Sequence, residues 1–179
     1  MMRTFVLVTC VATFCSFVGI DAALAQQGTM GCSSQSPPNS AQVLRCRGGV
    51  TIVAEDGARF TLQDRDNNGT VDAVTLQSRA VLIDDGKQRG KNRFEVTTPQ
   101  AIAAVRGTKW AVDVQETRTS VLVLRGRVAV RRPSGASQVV SQVVLGPGQG
   151  VDVDPGTDPL VVKTWPQARV AALLARLGQ

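Results

Sequence analysis

The stretch VTTPQAIAAVRGTKWAVDV, residues 96–114, decides the fold, because it places two β-type segments on either side of a short polar turn. The segments are 101–105 and 109–114, and the turn between them is Arg-Gly-Thr at 106–108. A Thr-Pro pair at 98–99 precedes the first segment. The arrangement predicts two strands joined by a tight corner.

The second segment shows the period of a half-buried strand. Trp110, Val112 and Val114 would face one side of a sheet, while Lys109 and Asp113 would face the other. We therefore expect the first three side chains to anchor a core.

The corner residues have a structural explanation that needs no ligand. Gly107 supplies a positive φ or a close backbone approach, and Thr108 can bond to local backbone. Arg106 offers five donors to the carbonyl groups of a turn. The expected role of all three is to shape the corner.

Short valine-rich runs separated by glycine and polar turns fill most of the chain. The branched valine side chain suits a pleated sheet better than a helix. Strands are predicted at 50–53, 58–62, 71–76, 80–83, 94–96, 101–105, 109–114, 119–124, 128–130, 138–145 and 151–153. The predicted fold class is all-β.

A glycine opens an alternating strand at four places, Gly49, Gly107, Gly126 and Gly150. Such spacing is typical of the turns of a β-solenoid and equally of successive hairpins in a β-sandwich. Both architectures stay open at this point.

The carboxyl terminus predicts one amphipathic helix over 164–178. Thr164 or Trp165 would lie near its start, and Pro166 would occupy the first turn. An apolar stripe follows at Val170, Leu173, Leu174 and Leu177. We expect the helix to pack on the β core; docking on a partner is the alternative.

The amino terminus has the layout of a secretory signal peptide over residues 1–25. Arg3 precedes an apolar run over 5–20, and Ala23-Leu24-Ala25 is a small-x-small cleavage site. No later stretch is long and apolar enough to span a bilayer. We expect an exported chain, periplasmic or secreted, divided into a linker over 26–47, a β domain over 48–163 and the helix.

Two cysteines, Cys32 and Cys46, would remain after Cys10 and Cys15 leave with the signal peptide. In an oxidising compartment such a pair predicts a disulfide. Closing a loop of about 14 residues would stabilise the fold by roughly 3 kcal/mol.

Composition excludes several functions. The net charge is +6, but aromatic residues are scarce and tyrosine is absent, so stacking platforms for nucleic acid are missing. Histidine is absent, and no serine or cysteine has an evident base beside it. We expect neither an enzyme nor a cofactor.

One polar segment has the spacing of a calcium loop, with oxygen side chains at alternate positions. These side chains belong to Asp64, Asp66, Asn68, Thr70 and Asp72. Gly69 allows the bend, but Thr75 stands where a bidentate glutamate is usual. A weak calcium site and a plain Asn-Gly hairpin turn are the alternatives.

Four arginines, Arg125, Arg127, Arg131 and Arg132, predict a basic strip beside the strand at 128–130. A solvated strand face is one interpretation. Contact with anionic envelope polymers is the other, and such contact would weaken as salt increases.

The order of these motifs resembles the FecR domain family, the periplasmic sensing part of ferric-citrate-type sigma-factor regulators. In that family a Thr-Pro strand leads to a Gly-Thr corner and an aromatic residue, followed by a Gly-x-Val strand and a Gly-Gln turn. The matching positions here are Thr98, Pro99, Arg106, Gly107, Thr108, Trp110, Gly126, Gly148 and Gln149.

The resemblance implies an all-β periplasmic module that works by contacting an envelope protein. Full-length regulators also carry a membrane helix and a cytoplasmic anti-sigma segment, whereas an export signal is expected in their place here. The expected function is a standalone interaction or signal-sensing module. The alternative is a structural envelope module, rigidified by calcium, that binds anionic polymers.

Overall fold

A computed structural model describes residues 30–35, 41–86, 93–133 and 142–179. These residues form thirteen strands and one α-helix at the carboxyl terminus, which confirms the all-β class with one helix. The expected signal peptide lies outside the described residues.

The strands are short except for one that has 13 residues. They are β1 Cys32–Gln35, β2 Gln42–Cys46, β3 Val50–Ala54, β4 Arg59–Gln63, β5 Ala73–Asp85, β6 Phe94–Thr97, β7 Ile102–Val105, β8 Lys109–Val114, β9 Thr119–Arg125, β10 Val128–Arg131, β11 Gln142–Leu145, β12 Gln149–Val153 and β13 Val162–Thr164.

The strands form two sheets that share β5. The first sheet contains β1, β2, β3, the second half of β5, β8, β9, β12 and β13. The second sheet contains β4, the first half of β5, β6, β7, β10 and β11. All the described pairings are antiparallel except β5 with β6, unlike the stacked parallel turns of a solenoid. Because β5 joins them, the two sheets form one continuous, nearly closed barrel-like layer.

Strand β5 bends where it passes from one sheet to the other. Its pairing with β4 skips Gln77, which is the extra residue of a β-bulge, and Arg79 has a φ of 67°. Before the bend Leu76 faces the main core, and after the bend Val81 does. The core-facing residues of β5 are therefore even-numbered before the bend and odd-numbered after it. The sequence interpretation split this region into two strands because it could not foresee a bulge.

The main core lies between the two sheets. Trp110, Val112 and Val114 of β8 all belong to it, and Trp110 is fully buried. The second sheet contributes Phe94, Val96, Ala103, Val105, Val128, Val130 and Leu145.

A helix covers the other face of the first sheet. This helix, α1 Gln167–Arg176, packs Leu173 and the following Leu177 against a second apolar cluster that includes Leu82 and Leu122. Trp165 joins the cluster and lies against Gly150, where an added Cβ would be 2.3 Å from the indole nitrogen. The helix is therefore packed on the β core.

Two arginines clamp α1 to the sheet. Arg169 binds Asp152 through both terminal nitrogens, at 3.0 and 2.5 Å, and stacks on the Trp165 ring. Arg176 binds Glu55 and also Asp113, the latter at 2.9 Å through two nitrogens. The carboxylate partners of both arginines lie in segments that are distant in the sequence.

The predicted disulfide between Cys32 and Cys46 is present. It joins β1 and β2 at directly opposed positions. The region interpreted as a linker, 26–47, thus contains a hairpin that extends the first sheet through β3.

Among the described residues, no helix has the length and apolar character needed to cross a membrane.

Candidate functional site

The Arg-Gly-Thr corner is held by hydrogen bonds to the side chain and backbone of Asp85. Gly107 has a φ of 63° and its N–H donates to Asp85 Oδ2 at 3.0 Å. Asp85 is fully buried and donates its own N–H to the Thr108 carbonyl at 2.9 Å. The corner is thereby fixed to the end of β5.

A second turn locks onto this corner. The buried Thr108 hydroxyl lies 3.1 Å from the Arg106 carbonyl and 3.2 Å from the Arg127 carbonyl, within donating distance of each. Gly126 has a φ of 88°, and a Cβ there would lie only 2.8 Å from Thr108 Oγ1. Glycine at 126 is required by this close approach.

The Thr-Pro pair forms the turn between β6 and β7. The buried Thr98 hydroxyl donates to the Ala101 carbonyl at 3.0 Å and accepts from the Ala101 N–H at 2.9 Å. It also lies 2.9 Å from the Thr119 hydroxyl. Pro99 is the second residue of the four-residue turn 98–101, where its fixed φ is favourable.

The Gly-Gln pair closes the turn between β11 and β12. Gln149 Oε1 accepts from the Gly146 N–H at 2.7 Å, and the Gln149 N–H donates to the Gly146 carbonyl at 3.0 Å. Gly148 has a φ of 77° and donates to the Val123 carbonyl at 2.8 Å. The nine motif positions therefore shape separate turns and the core. Among the described hydrogen bonds, none joins the turn at Thr98 or the turn at Gln149 to the Arg-Gly-Thr corner.

The acidic segment 64–72 is folded on itself. Asp64 accepts the N–H groups of Asn68 and Gly69 at 3.1 and 2.7 Å, and although some desolvation acts to raise the pKa of Asp64, these donors hold it below its ordinary value. The Asn68 amide donates to Asp66 at 2.7 Å, and Asn68 Oδ1 accepts from Thr70.

Asp72 takes no part in the hydrogen bonds among residues 64–70 and instead binds Arg65. Its Oδ1 accepts from the Arg65 backbone at 3.1 Å and the Arg65 Nε at 3.4 Å. Within the residues that the structure describes, no group of three or more acidic, histidine or cysteine side chains is arranged to hold a metal. The hydrogen bonds within 64–72 are those of a closed hairpin turn. Calcium binding at this loop stays a prediction, which a calcium titration would test.

A groove of about 620 Å³ lies on the outer face of the second sheet, the face away from the main core. Its floor is apolar and crosses three strands: Ala104 of β7 pairs with Ala129 of β10, which pairs with Val144 of β11. Val144 is 56% exposed. No described helix covers this face, in contrast to the outer face of the first sheet.

Arginines line the rim of the groove. Arg93, Arg106 and Arg127 lie at one end, and Arg131 lies farther along β10. The carboxylate among the lining residues is that of Glu95, which Arg65 binds at 3.0 Å. The surface of the groove is therefore cationic around an apolar floor.

The predicted basic strip divides between two roles. Arg127 and Arg131 line the groove. Arg125 instead binds Asp84 at 2.8 Å, and Arg132 donates to the Asp154 and Asp158 carbonyls.

Sequence reasoning missed the groove itself. The sequence does contain a pattern that could have indicated it. Residues 101–105 and 128–130 are apolar at consecutive positions, and not only at alternate ones. Such a pattern indicates a strand with two apolar faces, but it does not show which face another element covers.

A family model described as FecR protein matches residues 34–129. No curated protein matches the sequence. The chain is also similar to two crystal structures, at 1.65 Å and 2.50 Å resolution, each of a candidate anti-sigma factor from Parabacteroides distasonis ATCC 8503.

Both structures are 18% identical in sequence to the chain, with TM-scores of 0.58 and 0.59. They cover 79% and 80% of this chain, which in turn spans 64% of the length of each structure. The TM-scores show a common fold, and at this sequence identity the similarity shows the fold alone.

Proposed function

Because the chain belongs to the FecR protein family, we propose that it is an exported, non-enzymatic module that senses or relays a signal by binding a protein of the cell envelope. The family match covers 96 of the 179 residues. The anti-sigma description of the two similar structures supports a regulatory role.

The observation that carries the proposal is the open groove on the second sheet. The two sheets have different outer faces: α1 covers that of the first sheet, whereas Ala104, Ala129 and Val144 line an accessible depression on the second. Apolar side chains rimmed by charged ones are typical of protein-binding surfaces.

The motif residues support action by contact rather than by turnover. Thr98, Thr108 and Gln149 use their side-chain oxygens to close turns, and histidine is absent from the sequence. These contacts give the module a rigid frame, which suits a binding surface.

The localisation proposed is periplasmic or secreted. The disulfide between Cys32 and Cys46 supports an oxidising compartment, and the first 25 residues have the layout of an export signal.

Site-specific photo-crosslinking in intact envelopes tests the proposal with a matched pair of positions. Val144 in the groove and Val161 outside it are 56% and 57% exposed. A photoreactive residue at 144 should give a defined protein adduct, and the same residue at 161 should not. Absence of a protein adduct at 144, or equal adducts at both positions, would contradict the proposal.

The alternative function is a structural module that binds anionic envelope polymers. The cationic rim favours it, because Arg93, Arg127 and Arg131 line the groove without an ion pair in the described chain. Calcium would rigidify the loop at 64–72 in this version. Calorimetric titration with calcium, with melting compared in chelator, would detect that ion.

A further inference from the structure

We infer that the groove binds an extended acidic peptide segment of the partner with the pattern acidic-x-apolar-x-acidic. The inference rests on the proposed function and specifies the chemistry of the partner. It follows from the side chains that β10 presents to the groove.

Strand β10 supplies a cation, a small apolar residue and a second cation on one face. Arg127 immediately precedes the strand, Ala129 lies within it, and Arg131 ends it, and all three line the groove. Alternate residues share a face, so these positions are successive along it. The two arginines are about 13 Å apart along the strand, at roughly 3.3 Å per residue.

An extended peptide has the same period. Residues i, i+2 and i+4 of a bound segment face one side, so carboxylates at i and i+4 span the interval between Arg127 and Arg131. The residue at i+2 then lies over Ala129. The match requires a segment aligned along β10.

The floor has room for that central side chain. Ala104 and Ala129 are directly opposed on neighbouring strands, and their short side chains leave the depression. Val144, opposed to Ala129 on the other side, continues the apolar floor. A valine or leucine at i+2 would remove this exposed surface from water.

One end of the groove concentrates positive charge. Val105 pairs with Val128 and with Phe94, so the residues one step beyond each pair, Arg127 and Arg93, lie at the same end of neighbouring strands. This end is the stronger site for a carboxylate, since arginine binds carboxylates with two parallel hydrogen bonds.

Within the described residues, Arg93, Arg127 and Arg131 form no ion pair with a carboxylate. Glu95 is engaged by Arg65, and Arg93, Arg127 and Arg131 have no hydrogen-bond partner for their side chains within the described ranges. The internal segments 36–40, 87–92 and 134–141 contain no acidic residue in the sequence.

Six described arginines outside the groove form ion pairs with carboxylates. Arg118 binds Asp154, Arg125 binds Asp84 and Arg176 binds Asp113. The contrast with the groove indicates that its counter-charge comes from another molecule. A second copy of this chain is disfavoured as the source, because each copy carries a net charge of +6.

Fluorescence anisotropy with a labelled synthetic peptide tests the inference. The probe has the core Glu-Ser-Val-Ser-Glu. Matched peptides replace both glutamates by glutamine, replace the valine by serine, or exchange the last two residues to give Glu-Ser-Val-Glu-Ser, which turns the second glutamate to the opposite face. The full pattern should bind at least tenfold more tightly than each variant peptide. Raising the salt to 0.5 M should weaken binding about tenfold, because the ion pairs are exposed.

Charge reversal provides the protein-side comparison. The double variant Arg127→Glu, Arg131→Glu should lose at least tenfold in affinity. The control Arg45→Glu, Lys163→Glu makes the same change in net charge at exposed strand positions outside the groove, and it should bind as the parent protein does. Circular dichroism of both variants verifies that they are folded.

Three outcomes would overturn the inference. The first is an equal loss of affinity in the control variant. The second is equal affinity for the full-pattern peptide, the valine-to-serine peptide and the anionic polymer polygalacturonate. The third is a dimer in sedimentation that the groove variant abolishes. If crosslinking from position 144 still yields a protein adduct, the proposed function stands and only the chemistry assigned to its partner fails.

Discussion

Two glycines at the corner have the same backbone conformation but different surroundings. Gly107 and Gly126 have φ values of 63° and 88°. An added Cβ meets nothing within 4 Å at Gly107, whereas at Gly126 it would lie 2.8 Å from Thr108 Oγ1. The motif therefore needs glycine for conformation at one position and for conformation and space at the other.

Alanine substitutions should separate these two requirements. Gly107→Ala should lower the free energy of unfolding by about 1 kcal/mol through backbone strain. Gly126→Ala should cost about 1–3 kcal/mol more, because its methyl group overlaps a buried side chain. Urea unfolding measures both, and equal losses would contradict the close approach. Gly107→Val should destabilise more than Gly107→Ala, since a branched residue tolerates positive φ poorly.

The contact between α1 and the first sheet depends on ionised carboxylates. Burial acts to raise the pKa of Asp152, but hydrogen bonds from Arg169 and Ser120 outweigh it and hold the pKa below the ordinary 3.8. The folded state thus binds this proton less readily than the unfolded state does. The resulting stabilisation is present above about pH 4 and is lost as the pH falls through the folded-state pKa.

Asp152→Asn should reveal this dependence. The variant should be less stable than the parent protein at pH 7, and the difference should shrink as the pH falls below about 4. Asp158→Asn is the matched control, since Asp158 is exposed and its side chain has no ion pair within the described part of the chain. Thermal unfolding across pH 2.5–7 supplies the measurement. A difference between parent and Asp152→Asn that does not change with pH would rule out the Arg169 clamp as its cause.

The hairpin of β1 and β2 depends on a covalent bond as well as on pairing. Cys32 and Cys46 close a loop with a sequence separation of 14, for which chain entropy predicts about 3 kcal/mol. Replacing both with serine should lower the free energy of unfolding by that amount. Adding reductant to the parent protein should reproduce the loss and should leave the variant unchanged. If the reductant does not alter the parent's stability, the entropic contribution is absent.

The whole molecule should unfold as one unit, because β5 belongs to both sheets. The two tryptophans report on different parts of it: Trp110 lies in the core between the sheets and Trp165 lies under α1. In Trp110→Phe and Trp165→Phe, the fluorescence of the remaining tryptophan should change at the same denaturant concentration as the circular dichroism. An earlier change at Trp165 would instead show that α1 separates first.

Local features of the fold could be predicted from the sequence where one period dominates. The alternation at 109–114 placed Trp110, Val112 and Val114 in the core, as the structure does, and the cysteine pair indicated its own disulfide. The alternation depends on neighbours along the chain, and the disulfide was indicated because only two cysteines follow the expected signal peptide.

Features that depend on distant strands could not be predicted in this way. The bulge at Gln77 exists only relative to β4, and the partners of Arg176 come from β8 and from Glu55. The groove likewise depends on which sheet the helix covers. Periodicity identifies apolar faces, but topology determines which of them meets water.

The change of parity within β5 sets a rule for length variation in this protein. An insertion or deletion of one residue before Gln77 or after Arg79 would turn the side chains of one half-strand inside out and leave the other half in place. Substitutions along β5 are thus far more tolerable than indels. Homologous chains should preserve the residue count between Leu76 and Val81 even where the amino acids themselves differ.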